Sequence, residues 1–190
     1  MTAKQGTAAG VSRRRLILGG IATLAMTGAA LPLRPARAAF VTEARTLAFN
    51  SLHTGEKTSV TYWEEGAGYL PDAISELTHV LRDWRTEETY EMDLGLYDLL
   101  FELRYRLGSE KPFSIISAYR SPKTNASLAA NSGNVAKRSY HMKGMAIDIA
   151  LPDVDLKYLR QVALDMQLGG VGYYPKSGFV HVDTGPFRTW

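Results

Sequence analysis

Two short segments of this chain alternate apolar side chains with side chains that bind cations, and that alternation restricts the fold more than any other feature. In Ala146-Ile-Asp148-Ile-Ala150, Ala146 and Asp148 face one side of an extended strand, and Ile147 and Ile149 face the other. In Phe179-Val-His181-Val-Asp183, His181 and Asp183 share one side, opposite Val180 and Val182. The isoleucines and valines need a core, so a single sheet with one apolar face would also gather the histidine and the carboxylates on its other face.

The first segment belongs to a longer pattern, Ser139-x-His141-x-x-Gly144-x-Ala146-x-Asp148, which sets a histidine and an aspartate seven positions apart around a glycine. His181 follows Asp148 by 33 residues. Gly144 permits a sharp turn between His141 and the strand, and Ala146 leaves space beside it. Two imidazoles and one carboxylate are the protein ligands of a catalytic zinc site, which keeps its fourth position for water or substrate. A lone strand histidine is more often hydrogen-bonded than metal-bound; it is the joint pattern that points to one zinc ion per chain on His141, Asp148 and His181. His53, in a turn, and His79, beside Val80 on a helix, lack that setting. Asp183 lies on the His181 side of its strand. It is a candidate general base for water, a partner that orients a ligand, or a third ligand in place of His181. We favour His181 as the ligand and Asp183 in one of the first two roles.

Ser117-Ala-Tyr-Arg120-Ser-Pro122, with Asn125, follows a predicted strand. The planar guanidinium of Arg120 suits a carboxylate or a peptide carbonyl. Next to a metal it would hold substrate or the oxyanion that forms in amide hydrolysis; alone it would be an ordinary ion-paired residue.

The N-terminus reads as an export signal. Lys4 and Arg13-Arg14-Arg15 precede an uncharged run, Leu16 to Leu31, and Ala36-Arg37-Ala38 offers a cleavage site before Ala39. The arginine pair suggests the twin-arginine route. A run of about sixteen residues is short of the roughly 20 that a spanning helix needs, so no stable membrane anchor is expected after cleavage. Residues 1–38 are therefore assigned to the signal, 39–190 to a metallopeptidase domain, and the destination to the periplasm. The signal holds six of the 22 Lys+Arg and no acid, so residues 39–190 carry 16 basic and 19 acidic residues, a net charge of −3. No basic face for nucleic acid is indicated. The absence of cysteine excludes disulfides, thiolate zinc sites and a cysteine nucleophile.

Hydrophobic periodicity predicts strands over 46–51 and 58–63 joined by a turn, a helix over about 69–85 with Pro71 at its start, a helix over 94–107 stopped by Gly108, and a strand over 113–117. A helical turn over 125–130, a strand over 146–150, a helix over 155–168 opened by Asp155, and a hairpin of 171–174 with 179–183 complete the chain. The order predicts an α+β domain, with helices packed on one side of a small antiparallel sheet that carries the zinc site.

Taken together, S-x-Y-R-S-P with Asn125, S-x-H-x-x-G-x-A-x-D and G-x-Y-Y-P-K-S-G-F-V-H-V-D resemble the YcbK/MepK-type periplasmic murein endopeptidases. These belong with the D-alanyl-D-alanine metallopeptidases, whose zinc fold also occurs in hedgehog signalling domains. The resemblance covers nearly all of the chain after the signal. It implies zinc on His141, Asp148 and His181, Arg120 near the substrate, and hydrolysis of peptidoglycan peptide cross-links, with stem peptides as the binding partner. Some relatives have H-x-H in the last motif where this chain has His181-Val-Asp183, which leaves the identity of the base open. Hedgehog-like domains make a non-catalytic zinc module, binding wall or partner, the alternative; a D,D-carboxypeptidase is another. Tyr119, Tyr140 and Tyr173 are candidates for lining the cleft.

Overall fold

Alternating β-branched and aromatic residues build one sheet. The computed structural model describes residues 44–131 and 136–190. The expected export signal lies outside the described residues. Strands β1 (Ala44–Ser51) and β2 (Lys57–Glu64) form an antiparallel hairpin, and β2 pairs in turn with β3 (Gly68–Tyr69). Helix α1 (Pro71–Val80) begins with Pro71 in its first turn, where a missing N–H costs nothing. Helix α2 (Leu94–Leu107) is capped by the Asp93 carboxylate and ends at Gly108, which is left-handed at φ +64°. Strand β4 (Phe113–Ser117) leads into α3 (Pro122–Asn131), and a 3-10 turn (Tyr140–Lys143) precedes β5 (Ala146–Ala150). Helix α4 (Leu156–Met166), capped by Asp155, is followed by β6 (Gly170–Tyr174), β7 (Phe179–Asp183) and β8 (Arg188–Thr189).

The α+β class is as expected, but the sheet is neither small nor wholly antiparallel. Eight strands run in the order β3-β2-β1-β4-β5-β7-β6-β8. The β1–β4 and β6–β8 pairs are parallel. The connection from β1 to β4 runs through β2, β3 and two helices, long enough to bring the chain back to the end of the sheet where β1 began. Residues 188–189 are too few to show an alternating pattern, so β8 had no signature in the sequence.

One apolar cluster joins Phe49, Phe113, Ile147, Ile149, Val180 and Val182 from the strands to Leu77, Leu100 and Leu159 from α1, α2 and α4. Ile147 and Ile149 are fully buried, as are Leu77 and Leu100. Removing a large side chain from such a position costs about 2–5 kcal/mol. With its apolar side chains committed to this core, the β5–β7 ribbon has its other face free for Asp148 and His181.

Two boundaries depart from expectation. Helix α1 stops at Val80 rather than near Arg85, because the buried Asp83 carboxylate accepts the N–H of Arg85 and of Ser121. A side chain that bonds the main chain in this way competes with helix continuation. Segment 122–131 is a full helix rather than a single turn. Among the described residues no helix is long and apolar enough to cross a membrane.

Candidate metal centre

His141 sits on a turn locked at both ends. The Ser139 hydroxyl accepts the His141 N–H at 3.3 Å. Gly144 closes the turn at φ +66°, and a Cβ there would lie 2.3 Å from the Glu91 carbonyl oxygen. No other residue type fits this combination of left-handed backbone and close approach. The turn is also fixed to the segment after β4. The Arg120 N–H donates to the His141 carbonyl at 3.2 Å, and His141 Nδ1 lies 2.6 Å from the Ala118 carbonyl. Nδ1 is therefore the protonated nitrogen, and Nε2 presents a lone pair.

Asp148 and His181 are directly opposite each other in the antiparallel β5–β7 pair. His181 Nδ1 lies 2.9 Å from Asp148 Oδ1 and 3.2 Å from His141 Nε2, which in turn lies 3.4 Å from Asp148 Oδ1. The second His181 nitrogen, Nε2, donates to Asp183 Oδ2 at 2.9 Å. Both imidazoles thus spend their N–H on outer partners and turn a lone pair inward, towards a carboxylate oxygen. Three buried acceptors converging without a proton repel one another unless a cation joins them. Tetrahedral zinc bonds of about 2.0–2.1 Å would place donor atoms about 3.3 Å apart, so donor chemistry and spacing both fit the ion.

The electrostatics follow from burial and pairing. Burial lowers the His141 imidazole, and nearby Asp148 only partly offsets it. Burial alone would raise Asp148, but His141 and His181 outweigh it and hold the carboxyl well below the usual range. His181 is pushed down by burial, yet the neighbouring carboxylates of Asp148 and Asp183 raise it above an ordinary histidine. Asp183 is held well below the usual carboxylate range by His181, Arg188 and the Gly185 N–H, against the effect of burial.

Asp183 is fully buried. Its Oδ1 accepts from the Gly170 and Gly185 N–H groups at 3.1 and 2.8 Å. Arg188 donates to both of its oxygens, at 3.0 and 2.7 Å. Neither Arg188 nor Trp190 was singled out by motif. Trp190 lies with its ring 5.2 Å from that of His181 and donates its indole N–H to the Tyr174 hydroxyl at 2.7 Å. Gly172, the neighbour of His181 on β6, makes room for that indole: a Cβ there would meet it at 2.7 Å. Only the spacing of Arg188, five residues beyond Asp183, could have hinted at the pair.

Arg120 is buried, with Nη2 3.2 Å from Ser117 Oγ and 3.4 Å from Asp148 Oδ2. A register shift in the β4–β5 pair brings Ser117 opposite Asp148. The Arg120 Nε–H is buried with no partner, and the guanidinium lines the same cleft as the histidines. Burial lowers the Arg120 pKa, opposed by Asp148. Asn125 holds the Ala136 carbonyl through Nδ2 at 3.2 Å. The cleft, of ≈ 550 Å³, is lined by Tyr140 and by Tyr174. Tyr119 and Tyr173, two of the expected lining residues, are corrected: Tyr119 is buried and stacks on Tyr90, and Tyr173 packs against the apolar core beside Val180. His53 stacks on Trp84 and His79 lies 3.7 Å from Glu56, both outside the cleft.

Comparison with known proteins places the chain beside one family. Residues 39–190 match the sequence profile of the family Peptidase_M15_2, described as peptidoglycan L,D-endopeptidase MepK. Over 179 residues the chain is 45% identical to the peptidoglycan L,D-endopeptidase MepK of Escherichia coli strain K12, covering 94% of this chain and 96% of that protein. The same identity and coverage hold for the protein of that name in Shigella flexneri. Identity is 38% to the probable peptidoglycan L,D-endopeptidase MepK of Haemophilus influenzae, with 94% of each chain covered.

Proposed function

Because the chain belongs to the MepK family of peptidoglycan L,D-endopeptidases, as its three motifs led us to expect, we propose that it is a zinc-dependent endopeptidase that hydrolyses peptide cross-links of the bacterial cell wall. The observation that carries this is the convergence of His141 Nε2, Asp148 Oδ1 and His181 Nδ1 as three lone-pair donors in a cleft. These atoms would hold one zinc ion. A bound zinc ion supplies Lewis-acid polarisation of the scissile carbonyl and lowers the pKa of water towards about 7.

The chain's own residues divide the remaining work. The Ala118 carbonyl and Asp183 each take the outer N–H of one histidine, which fixes both tautomers and points the lone pairs inward. Asp183 is fully buried, is gripped by Arg188 and does not line the cleft. Between the two roles open to it, these surroundings support orientation of His181 over proton transfer from water. The Arg120 guanidinium lines the cleft beside Asp148, which supports binding of the scissile carbonyl oxygen and of the charge that develops there. The signal read at residues 1–38 supports export to the periplasm by the twin-arginine route, where peptidoglycan is reached.

The test is digestion of purified peptidoglycan by residues 39–190, with and without a chelator, and mass spectrometry of the products. Expected are uncross-linked muropeptides that vanish with chelator, return with zinc, and are absent for His141→Ala. Stoichiometric zinc with no cleavage would overturn the assignment in favour of a binding module. Release of terminal D-alanine alone would make the protein a D,D-carboxypeptidase.

A further inference from the structure

The cleft is cationic although residues 39–190 carry a net charge of −3. Arg120, Arg138 and Arg188 line it, and its one described carboxylate is Asp148. Two of the arginines are committed. Arg188 gives both terminal nitrogens to Asp183 and lies 4.9 Å from the ring centres of Tyr140 and Trp190. Arg120 leans on Ser117 and Asp148.

Arg138 differs from both. It is exposed, and no hydrogen bond or ion pair joins it to any described residue. Its position is still defined by its neighbours. The Ala136 carbonyl is held by buried Asn125, and buried Ser139 caps the turn that carries His141. Arg138 therefore stands at the cleft two residues from one fixed point and one from another. Tyr174 and Phe179, stacked at 4.6 Å, and Trp190 also line the cleft and offer no charge. Among the described residues of the cleft, Arg138 is the guanidinium without an ion-pair partner that an entering carboxylate meets, and that fork takes a carboxylate through two parallel N–H···O bonds.

We propose that Arg138 determines substrate specificity by binding a free carboxylate that the stem peptide bears next to the bond to be cut. In this role, which rests on the peptidase reading above, Arg138 selects a diacid residue, one whose second carboxyl stays free when the cross-link forms. Amidation of that carboxyl removes the charge and nearly preserves the shape, so it isolates what Arg138 reads.

The experiment compares two cross-linked muropeptides that differ only in whether this carboxyl is free or amidated. Each is cleaved by zinc-loaded residues 39–190 and by the variants Arg138→Gln and Arg138→Lys. Wild type should prefer the acid by about 10- to 100-fold in kcat/KM, mainly through KM, as befits a charge-assisted hydrogen bond. Arg138→Gln should lose the preference by losing the acid alone, and Arg138→Lys should retain part of it. Calorimetry with an uncross-linked stem peptide ending in that diacid residue, again as acid and amide, should give the same ratio without turnover. Equal handling of acid and amide by wild type, or an unchanged preference in Arg138→Gln, overturns the role of Arg138. Absence of hydrolysis in wild type instead overturns the peptidase reading, while the calorimetric ratio still decides whether Arg138 binds the carboxylate.

Discussion

At the scale of single residues, the site is a matter of where each proton sits. His141 turns Nε2 inward because Ala118 takes Nδ1–H, whereas His181 turns Nδ1 inward because Asp183 takes Nε2–H. Residue type and spacing in the sequence pointed to these histidines, but not to opposite tautomers, which depend on partners distant in the chain. Asp183→Asn should therefore weaken zinc binding by about 10- to 100-fold, because an amide can present its N–H₂ to His181 Nε2 and favour the wrong tautomer. Competition with a chromophoric chelator measures this, and unchanged affinity would rule out the orienting role. Gly144→Ala puts a Cβ into the Glu91 carbonyl and strains a left-handed backbone. It should cost at least about 2 kcal/mol in chemical denaturation. The glycine was legible in the motif; its contact with residue 91 was not.

At the scale of elements, the site depends on how loops are tied to one another. The Tyr119 N–H donates to the Leu81 carbonyl at 2.9 Å, and the Ser121 N–H donates to Asp83 at 2.9 Å, so the segment with Arg120 hangs on the loop after α1. The Asp93 N–H donates to the Gly144 carbonyl and the Thr184 hydroxyl donates to Asp93, joining the start of α2 to the 3-10 turn and the end of β7. Periodicity located α2, β4, β5 and β7 to the residue, since each repeats an apolar position often enough to be read. It overran α1 because the signal that stops this helix, a buried carboxylate bonded to main-chain N–H groups, has no period. Burial alone would raise the Asp83 pKa; bonds from Thr124, Ser121 and the Arg85 N–H more than offset it and leave the group below the ordinary value of 3.8. A depressed carboxylate contributes stability above its unfolded-state value and loses it as the pH falls through its folded-state value. Asp83→Asn should thus cost about 1–3 kcal/mol near neutral pH. The difference in thermal stability from wild type should shrink as the pH falls below 3.8. A gap of constant size across that range would contradict this account.

At the scale of the whole molecule, the three candidate ligands belong to separate parts of the fold, the 3-10 turn, β5 and β7. A cation there cross-links them, so chelation should lower the melting temperature and zinc should restore it. At a free concentration 100 times the dissociation constant, the metal adds about 2.7 kcal/mol. A melting temperature indifferent to chelator would mean that no metal is held. The sequence alone carries what short-range physics can express: which faces of the strands are apolar, where α1, α2 and α4 start, which residue types can share a cation, and which family the motifs resemble. Only the tertiary structure decided the mixed eight-stranded sheet, the grip of Arg188 on Asp183, the seat of Trp190 beside His181 and the freedom of Arg138. These arise from contacts between segments whose separation in the chain has no period to be read. An arginine's meaning depends on whether a carboxylate lies within reach, and that is settled only when the chain has folded.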